Sequence, residues 1–542
     1  MGKNLLALLT IVLFVLLATF PLLHKGFPPT HDGEYHVIRF YEFYKTLASG
    51  VLYPRWAEDL NNGYGIPLFN YVYPLPNYIA AFLHALGFSF IDSFKYSLIL
   101  ATGIGAVAFY FFAKYFTNRL GGLVGALIYI FTPYRFVDIY VRGSIGEVWS
   151  LAILPLLLWS LAILIKEGKV SYIGLTSFLL AFLIFSHNIL AILFSPFLFT
   201  YAIVLIMQAK NRQKSFYKTV VALMLGVGIS AIFWLPAIAE KKYVRGLEVF
   251  DYKTYFPDLT SLLFPSWGTG FAGDIASGMS TQIGLVNLLI VCLSLRLAFQ
   301  FFKKQHKIFF FTIVWFFAVV ILMLPLSSHI WDAIPFFHFV QFPWRYLSLV
   351  IILCAFLAAM LVSVVRWKKL LSIILVGLAV VTTMSYTKPA YYHDRDDAHY
   401  ISRDNFISGT NSPGNAFNTV WIGSPLMKKS KKTEVLSGQE DIRSEIITPE
   451  QYVFKVTTSK PAEAIVNTAF FPGWEAKISG KSLTLRRTET GVMKLSLPKG
   501  NYFVTMEFVD TMVRRVGVFI TLFSVVLAGA TTGFALFRVH TR

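Results

Sequence analysis

Long apolar runs alternate with short polar connections along most of this chain. Twelve of these runs have the length and composition of membrane-crossing helices. They lie at about 5–23, 94–113, 120–132, 147–165, 171–186, 188–207, 218–236, 282–300, 308–325, 344–365, 370–386 and 515–537. The pattern therefore predicts a mainly α, polytopic helical bundle with about 12 transmembrane helices.

One further apolar stretch, 73–91, is predicted not to cross the membrane. Counting it as a crossing would invert the orientation of every later segment and would place the basic clusters of the chain on both sides. Because Pro74 and Pro76 stand at its start, we expect it to lie along the outer interface, or to enter the membrane and return.

The pattern changes in the C-terminal part of the chain. From Gln451 onward, apolar and polar residues alternate with a period of two, over 452–456 and again over 502–508, with turn signals such as Pro472-Gly473 between them. Such alternation is typical of antiparallel strands with one buried face. We therefore predict a transmembrane domain at 1–386 whose first outer loop is 24–93, an extracytoplasmic β-sandwich domain at 387–513, and a last helix with a basic tail at 514–542.

The composition agrees with a membrane protein, because 56% of the residues are hydrophobic and only 14% are charged. The formal net charge of +19 does not indicate nucleic-acid binding, since the basic residues stand in short clusters on alternate connections. The clusters are Lys3, Lys114 with Arg119, Lys166 with Lys169, 210–214, 303–307, 366–369 and 538–542. The positive-inside rule places this side, with both termini, in the cytoplasm, and the long connections outside the cell membrane.

The hexapeptide His31-Asp32-Gly33-Glu34-Tyr35-His36 opens the first outer loop and is the strongest candidate for an active site. Two carboxylates and two imidazoles at a membrane surface are costly unless they bind a cation or move protons. The alternative interpretation is a solvated turn, because Asp, Gly and His are ordinary loop residues.

Arginines recur on the predicted outer face. They are Arg55, Arg135, Arg142 and Arg345, and the acidic residues Asp138 and Glu147 stand in the same loop as the second and third of them. Charges buried at such positions either pair with one another or bind a charged ligand, and a guanidinium group has the shape to hold a phosphate. The aromatic residues and glycines around Arg55 suit either sugar stacking or an interfacial aromatic belt.

Several motifs together resemble a family of large bacterial and archaeal membrane proteins labelled 6-pyruvoyl-tetrahydropterin synthase-related, and the similar YfhO-like proteins. The motifs are the hexapeptide, Pro54-Arg55-Trp56, Gly63-Tyr64-Gly65, Val141-Arg142-Gly143 with Glu147, Phe233-Trp234-Leu235-Pro236-Ala237 with Glu240, Gln341-Phe342-Pro343-Trp344-Arg345 and Phe471-Pro472-Gly473-Trp474. The resemblance covers nearly the whole chain and is weakest at 388–450. It extends to the GT-C superfamily of membrane glycosyltransferases, which carry an acidic motif early in the first outer loop.

The resemblance implies an inverting glycosyltransferase that moves a sugar from a polyprenyl-phosphate-linked donor to an envelope glycan, teichoic acid, lipid or protein on the outer face of the membrane. Asp32 is then the catalytic base, and Glu34 orients the acceptor. Arg135, Arg142 and Arg345 would bind the donor phosphate. The supporting residues would be His31, His36, Arg55, Asp138, Glu147 and His187. A divalent cation, Mg²⁺ or Mn²⁺, would be held by Asp32, Glu34 and Glu147, although the motif reads Asp-Gly-Glu rather than Asp-x-Asp.

Two other classes of protein fit the same residues. A flippase for lipid-linked sugars also needs arginines near a headgroup, and a non-catalytic envelope assembly protein would use the membrane domain only to display the β domain. The predicted helices carry no charged residue well inside them, which argues against a translocation path.

Overall fold

The computed structural model describes residues 2–246, 251–272, 277–303, 307–402, 415–423, 426–436 and 441–540. The helices are α1 Gly2–Thr19, α2 Gly33–Ala48, α3 Leu75–Ala85, α4 Phe90–Phe116, α5 Arg119–Ile130, α6 Pro133–Phe136, α7 Ile145–Lys166, α8 Ser171–Ser186, α9 Asn188–Ile206, α10 Arg212–Ile229, α11 Ala231–Ala239, α12 Leu259–Leu263, α13 Leu285–Arg296, α14 Ala298–Lys303, α15 Lys307–Met323, α16 Ser328–Ala333, α17 Leu347–Val364, α18 Lys368–Thr383, α19 Asp397–Ile401 and α20 Met512–His540. A π-helical segment, Val137–Arg142, follows α6.

The helices confirm a polytopic membrane bundle. In the part of the chain that the structure describes, seven helices are long and apolar enough to cross a membrane, and counting three sharply bent pairs as one span each raises the number to ten. Two more of the twelve predicted segments correspond to α8 and α13, which are shorter apolar helices. The spans containing α7 and α17 are each 89% buried inside the protein and form the centre of the bundle.

The stretch 73–91 contains the eleven-residue helix α3, a turn and the first residues of α4. At 1.5 Å per residue, α3 is about 16 Å long, which is roughly half the thickness of the hydrocarbon core. Phe82 and Leu86 expose 64% and 61% of their surface, so α3 presents apolar side chains outward, as a helix at a membrane interface does.

The hexapeptide forms the start of a helix, not a solvated turn. Asp32 stands at the N-cap of α2, and Gly33 is the first helical residue. The helix buries Val37, Phe40 and Phe43 against the transmembrane core. The position of the hexapeptide just after the first apolar run predicts a loop, whereas the structure begins α2 at this point.

Several predicted basic clusters lie at one end of the bundle. Asn4 Oδ1 accepts hydrogen bonds from Lys114 Nζ at 3.2 Å and from Arg119 Nε at 3.1 Å. Lys166 Nζ lies 4.8 Å from the centre of the Phe116 ring, at the same end of α4 as Lys114. The side chains of Lys3 and of the cluster 303–306, and the tail residues 541–542, lie outside the described residues.

The C-terminal domain is a β-sandwich, as predicted. Its strands are β1 Thr433–Val435, β2 Asp441–Thr448, β3 Gln451–Thr458, β4 Ala462–Ala469, β5 Trp474–Ile478, β6 Lys481–Leu483, β7 Leu485–Arg487, β8 Val492–Leu497 and β9 Gly500–Phe508. They form two antiparallel sheets, in the orders β1-β4-β8-β7 and β2-β3-β9-β5-β6. The alternating residues Tyr452, Phe454 and Val456 are all buried between the sheets, which explains the period of two in the sequence.

The residues at 393–400, inside the predicted domain 387–513, pack on the first outer loop instead of joining a sheet. His393 forms an antiparallel bridge with Phe27. The Asp397 carboxylate accepts the backbone N–H groups of Phe90 and Ile91 at 2.7 and 3.0 Å, which caps the N-terminus of α4.

The first outer loop also anchors the β domain. Trp56 is fully buried in the core of that domain, with its ring centre 5.7 Å from Trp474 and 5.4 Å from Phe508. Glu450 Oε1 accepts the backbone N–H groups of Arg55 and Trp56 at 2.8 and 3.2 Å. The sugar-stacking interpretation of the aromatic residues around Arg55 is therefore replaced by a structural one for Trp56. We call the contact region formed by Arg55, Trp56, Glu240, Glu450 and Arg514 the β-domain dock.

Candidate active site

A cavity of about 280 Å³ opens where the first outer loop meets the ends of several transmembrane helices. Its polar and charged lining comes from α2, the π-helical segment, the turn between α8 and α9, and the segment before α17. The main members of this lining are Asp32, His36, Arg39, Arg142, His187 and Arg345.

Backbone contacts fix Asp32 beside Arg142. The N–H groups of His31 and Asp32 donate to the carbonyl oxygens of Val141 and Arg142 at 3.0 and 2.8 Å. Gly143 follows with φ +63°, and a Cβ at this position would lie 2.4 Å from Thr30 Oγ1. A residue without a side chain is therefore required for the two loops to approach this closely.

The Asp32 carboxylate has no partner among the described residues. It makes no capping bond to α2, although the N-cap position would allow one, and no ion pair or hydrogen bond reaches it. Positive charges surround it nonetheless, since Arg39, Arg142 and Arg345 all interact with it electrostatically. A half-buried carboxylate facing a cavity without a hydrogen bond is available to accept a proton.

Arg142 is held by two carboxylates. Its Nη1 donates to Asp138 Oδ1 and Glu147 Oε2, each at 2.5 Å, and both acidic side chains are fully buried. The Tyr134 hydroxyl donates to the other Glu147 oxygen at 2.9 Å. The guanidinium group also lies 4.6 Å from the centre of the Trp344 ring. These contacts compensate the charge of Arg142 within the protein.

Arg345 differs from Arg142, because its hydrogen-bond acceptors are neutral. Nη1 donates to the backbone oxygen of Val340 at 2.9 Å and to Gln341 Oε1 at 2.8 Å. No carboxylate forms an ion pair with it within the described part of the chain, and its buried Nε has no hydrogen-bond acceptor there. Its charge is therefore available to an anion in the cavity.

His187 contributes a neutral imidazole to the cavity wall. Burial, reinforced by the charges of Arg345 and Arg142, holds its pKa well below the usual range. Its Nδ1 accepts the backbone N–H of Leu190 at 3.4 Å, so the neutral ring carries its proton on Nε2. His187 caps α9, and the first two residues of that helix, Asn188 and Ile189, also line the cavity. The positive end of the α9 dipole thus points toward the same space.

His36 lies one helical turn after Asp32 and is almost completely buried. Burial, and secondarily the charge of Arg39, lowers its pKa well below the usual range, so it is neutral at pH 7. His31 also lines the cavity, with its ring stacked 4.6 Å from Phe271 and its Nε2 2.9 Å from the carbonyl oxygen of Thr269. Both histidines of the hexapeptide therefore line the same cavity as Asp32.

Five of the predicted residues do not line the cavity. Asp138 and Glu147 contact it only through Arg142, which they hold, and the other three lie elsewhere. Glu34 forms an ion pair of 2.9 Å with Arg395 and does not line the cavity. Arg135 is buried outside the cavity, where its Nε donates to the carbonyl oxygen of Tyr129 and its guanidinium group stacks on the Tyr129 ring at 4.2 Å. Arg55 belongs to the β-domain dock.

The candidate cation ligands Asp32, Glu34 and Glu147 are not gathered at one point. Glu34 pairs with Arg395, and Glu147 is held by Arg142. Throughout the described residues, no group of three or more His, Cys, Asp or Glu side chains has the arrangement of a metal site.

Arg39 and Gln341 also line the cavity, although the sequence motifs do not include Arg39 and include Gln341 only as the first residue of 341–345, without a role. The helical period contains a signal for Arg39, because Asp32, His36 and Arg39 follow one another at spacings of four and three, and such residues share one helix face. That signal is visible only once the hexapeptide is known to begin a helix. Gln341 has no comparable signal in the sequence.

The sequence model of the 6-pyruvoyl-tetrahydropterin synthase related domain, described as a membrane protein, matches residues 69–391, which is more than half of the chain. The chain belongs to this family. The predicted resemblance to 6-pyruvoyl-tetrahydropterin synthase-related membrane proteins is thereby confirmed. Arg142, His187 and Arg345 lie inside the matched region of this family member, whereas Asp32 and Arg39 precede it.

Two further proteins are similar to this family member. An uncharacterized protein of Lactococcus lactis subsp. cremoris (strain MG1363) is 22% identical over 242 residues, which are 43% of this chain and 39% of that protein. The cryo-EM structure of the arabinofuranosyltransferase AftD from Mycobacteria matches 72% of this chain and 27% of that chain, at 15% identity and a TM-score of 0.46. The chain therefore spans well under half the length of either protein.

Proposed function

We propose that this protein is an integral membrane glycosyltransferase of the GT-C type, which moves a sugar from a polyprenyl-phosphate-linked donor to an acceptor of the cell envelope. The observation that supports this most strongly is the presence in one cavity of two charged groups that form no direct ion pair among the described residues. The Asp32 carboxylate faces the cavity without a hydrogen bond, and the Arg345 guanidinium group has only neutral hydrogen-bond acceptors, while Asp32 and Glu147 act on it electrostatically.

These two charges suit the two ends of an inverting transfer. Asp32 would take the proton from the acceptor hydroxyl as its oxygen attacks the anomeric carbon. The bond from that carbon to the donor phosphate breaks on the opposite face, and the phosphate leaves with the bonding electrons. Arg345 would stabilise the negative charge on the leaving phosphate.

The remaining cavity residues fit supporting roles. The N–H group at Nε2 of His187 and the first backbone amides of α9 are donors suited to phosphate oxygens. Arg142 would act mainly as a fixed link between the loops, because Asp138 and Glu147 already compensate its charge. Arg135 and Glu34 lie outside the cavity and receive no role in this scheme.

The position of the cavity supports transfer on the outer face of the cell membrane. Lys114, Arg119 and Lys166 lie together at one end of the bundle, near the N-terminal residue Asn4. The hexapeptide follows the opposite end of α1. By the positive-inside rule the basic end faces the cytoplasm, which places the cavity and the β domain outside.

The test is transfer of radiolabelled sugar from a panel of polyprenyl-phosphate sugars by the full-length protein in lipid, with and without a chelator. We expect Asp32→Asn to abolish transfer while the protein remains folded, because an amide cannot accept the proton. Glu34→Gln is the matched control, since it removes the neighbouring carboxylate of the same hexapeptide outside the cavity. Retained turnover of Asp32→Asn would refute the assignment.

The same experiment separates the other two classes. A flippase would move labelled lipid across the bilayer without transferring sugar, and an assembly protein would do neither. Loss of transfer on chelation would add a divalent cation to the mechanism.

A further inference from the structure

Gln341 has an unusual backbone conformation in the cavity wall. Its φ is +68° and its ψ is −44°, although it is not a glycine. The N–H of Phe342 donates to the carbonyl oxygen of Val340 at 2.8 Å and so closes a three-residue γ-turn centred on Gln341. The γ-turn with positive φ is rare and strained for a residue with a side chain. Strain of this kind persists only where the surrounding structure holds it.

The turn brings two oxygen atoms to the same nitrogen of Arg345. Its Nη1 donates both to the Val340 carbonyl, at 2.9 Å, and to the Gln341 side-chain oxygen, at 2.8 Å. Val340 is fully buried and Gln341 is 8% exposed, so water does not compete for these bonds. The Arg345 guanidinium group also stacks 4.9 Å from the centre of the Phe342 ring.

This arrangement fixes Arg345 without neutralising it. Both acceptors are uncharged, and both bind one corner of the guanidinium group. The buried Nε has no acceptor among the described residues. An oxyanion that enters the cavity therefore meets a cation whose orientation is already set.

We propose that Gln341 is a positioning residue for phosphate recognition: its γ-turn and side-chain amide orient Arg345 so that the free edge of the guanidinium group binds a phosphate group. The inference rests on the proposed function only for the identity of the phosphate as that of a polyprenyl donor. The phosphate class itself is supported by a fixed guanidinium group in the cavity whose hydrogen-bond acceptors are both neutral.

The identity of the side chain matters for this role. A glutamate at 341 would form an ion pair with Arg345 and cancel the charge that the phosphate needs. A glycine would adopt the positive φ without strain but would remove one of the two acceptors. A methionine would keep the bulk of the side chain and remove the acceptor.

The test measures binding to the full-length protein in lipid nanodiscs, using a short-chain polyprenyl monophosphate in one arm and inorganic phosphate in the other. We expect Gln341→Glu to weaken binding of polyprenyl monophosphate at least tenfold and Gln341→Met to weaken it about threefold to tenfold. We expect Gln341→Gly to weaken it similarly without lowering the melting temperature. Gln300→Glu, which adds the same charge at an exposed position on α14, should bind as the wild type does.

Each outcome has a distinct meaning. Wild-type phosphate affinity in Gln341→Glu and Gln341→Met would overturn the inference. Weaker binding in proportion to a lower melting temperature, in Gln341→Gly as well, would also overturn it, because a purely structural role predicts that pattern. Weaker binding at unchanged stability supports the inference about Gln341. This support holds even if the protein transfers no sugar, because a lack of transfer refutes only the proposed function. Binding of inorganic phosphate that weakens in the same variants would support the inference and would show that the site binds the phosphate group without the attached lipid.

Discussion

Two regions of the molecule, the β-domain dock and the cavity, contain similar residues and differ in how their charges are paired. In the β-domain dock, every arginine has its acceptors within the protein. Arg514 donates to Glu240 at 3.0 and 3.1 Å and to the carbonyl oxygen of Pro472 at 2.8 Å. Arg55 donates to Asn70 at 3.0 Å and to Asp510 at 3.3 Å. The dock is a closed network that joins the membrane bundle to the β domain.

The cavity contains a comparable set of charges, but two of them have no ionic partner in the described residues. Asp32 receives no hydrogen bond on its carboxylate, and Arg345 has only neutral acceptors. A buried or half-buried charge without a partner is costly to keep unless a ligand supplies the partner. The comparison therefore indicates that the paired charges of the dock hold the two domains together, whereas the charges without a direct ion pair that line the cavity are placed to meet a ligand.

The largest effect on stability is expected in the dock. Glu240 is buried, and it also accepts hydrogen bonds from Asn70 at 2.9 Å and from Thr511 at 2.7 Å. Glu240→Gln leaves the buried Arg514 without a counter-ion, which typically costs about 3–5 kcal/mol. We expect the free energy of unfolding in detergent to fall by about that amount. Transfer per folded molecule should remain at the wild-type level.

The matched control for the dock is Glu463→Gln. Its partner Lys494 lies 2.9 Å away, and 46% of the Glu463 side chain is exposed. A surface ion pair contributes at most about 1 kcal/mol, so this variant should melt close to the wild type. If Glu240→Gln instead abolished transfer in protein that remained folded, the dock would belong to the active site. The distinction between a structural dock and a functional cavity would then be wrong.

The next effect is expected in the cavity and should appear in the rate. Arg345→Gln removes the donor to the leaving phosphate, and loss of one such contact typically slows a reaction about 10²–10³-fold. Because Arg345 forms no direct ion pair with a carboxylate among the described residues, the free energy of unfolding should fall by less than it does in Arg142→Gln. Arg142→Gln should mainly lower the free energy of unfolding and not the rate of transfer per folded molecule. It leaves Asp138 and Glu147 buried without their counter-ion.

Arg443→Gln serves as the control for charge alone, because Arg443 lies on β2 with 74% of its side chain exposed. It should leave both rate and stability unchanged. A large fall in stability for Arg345→Gln, with normal transfer per folded molecule, would show that Arg345 is structural.

The sequence predicted the architecture well, because membrane helices and two-faced strands both leave a strong hydrophobic period. It also placed Asp32, Arg142 and Arg345 among the candidates from residue type alone. It did not distinguish Arg55 from Arg345. The Arg55 side chain pairs with Asp510, 455 residues away, and no local pattern contains such a partner. Gln341 stands in the motif 341–345, but the sequence gives it no role, because that role comes from its backbone conformation and not from its charge.

The smallest effect tests the comparison most closely, because it concerns neighbours in one hexapeptide. Glu34 and Asp32 are two residues apart, yet Glu34 points away from the cavity and pairs with Arg395 at 2.9 Å. The two side chains of that pair are 25% and 28% exposed, so Glu34→Gln should lower the free energy of unfolding by less than about 1 kcal/mol. Transfer per folded molecule should stay at the wild-type level, since Glu34 does not line the cavity. Arg395→Gln should give the same small change, as it removes the other half of the pair. A different result would contradict this assignment: Glu34→Gln could lose transfer as completely as Asp32→Asn while Arg395→Gln keeps it. The Glu34 carboxylate itself would then act in the reaction. Its ion pair with Arg395 would be a resting arrangement that opens when the acceptor binds.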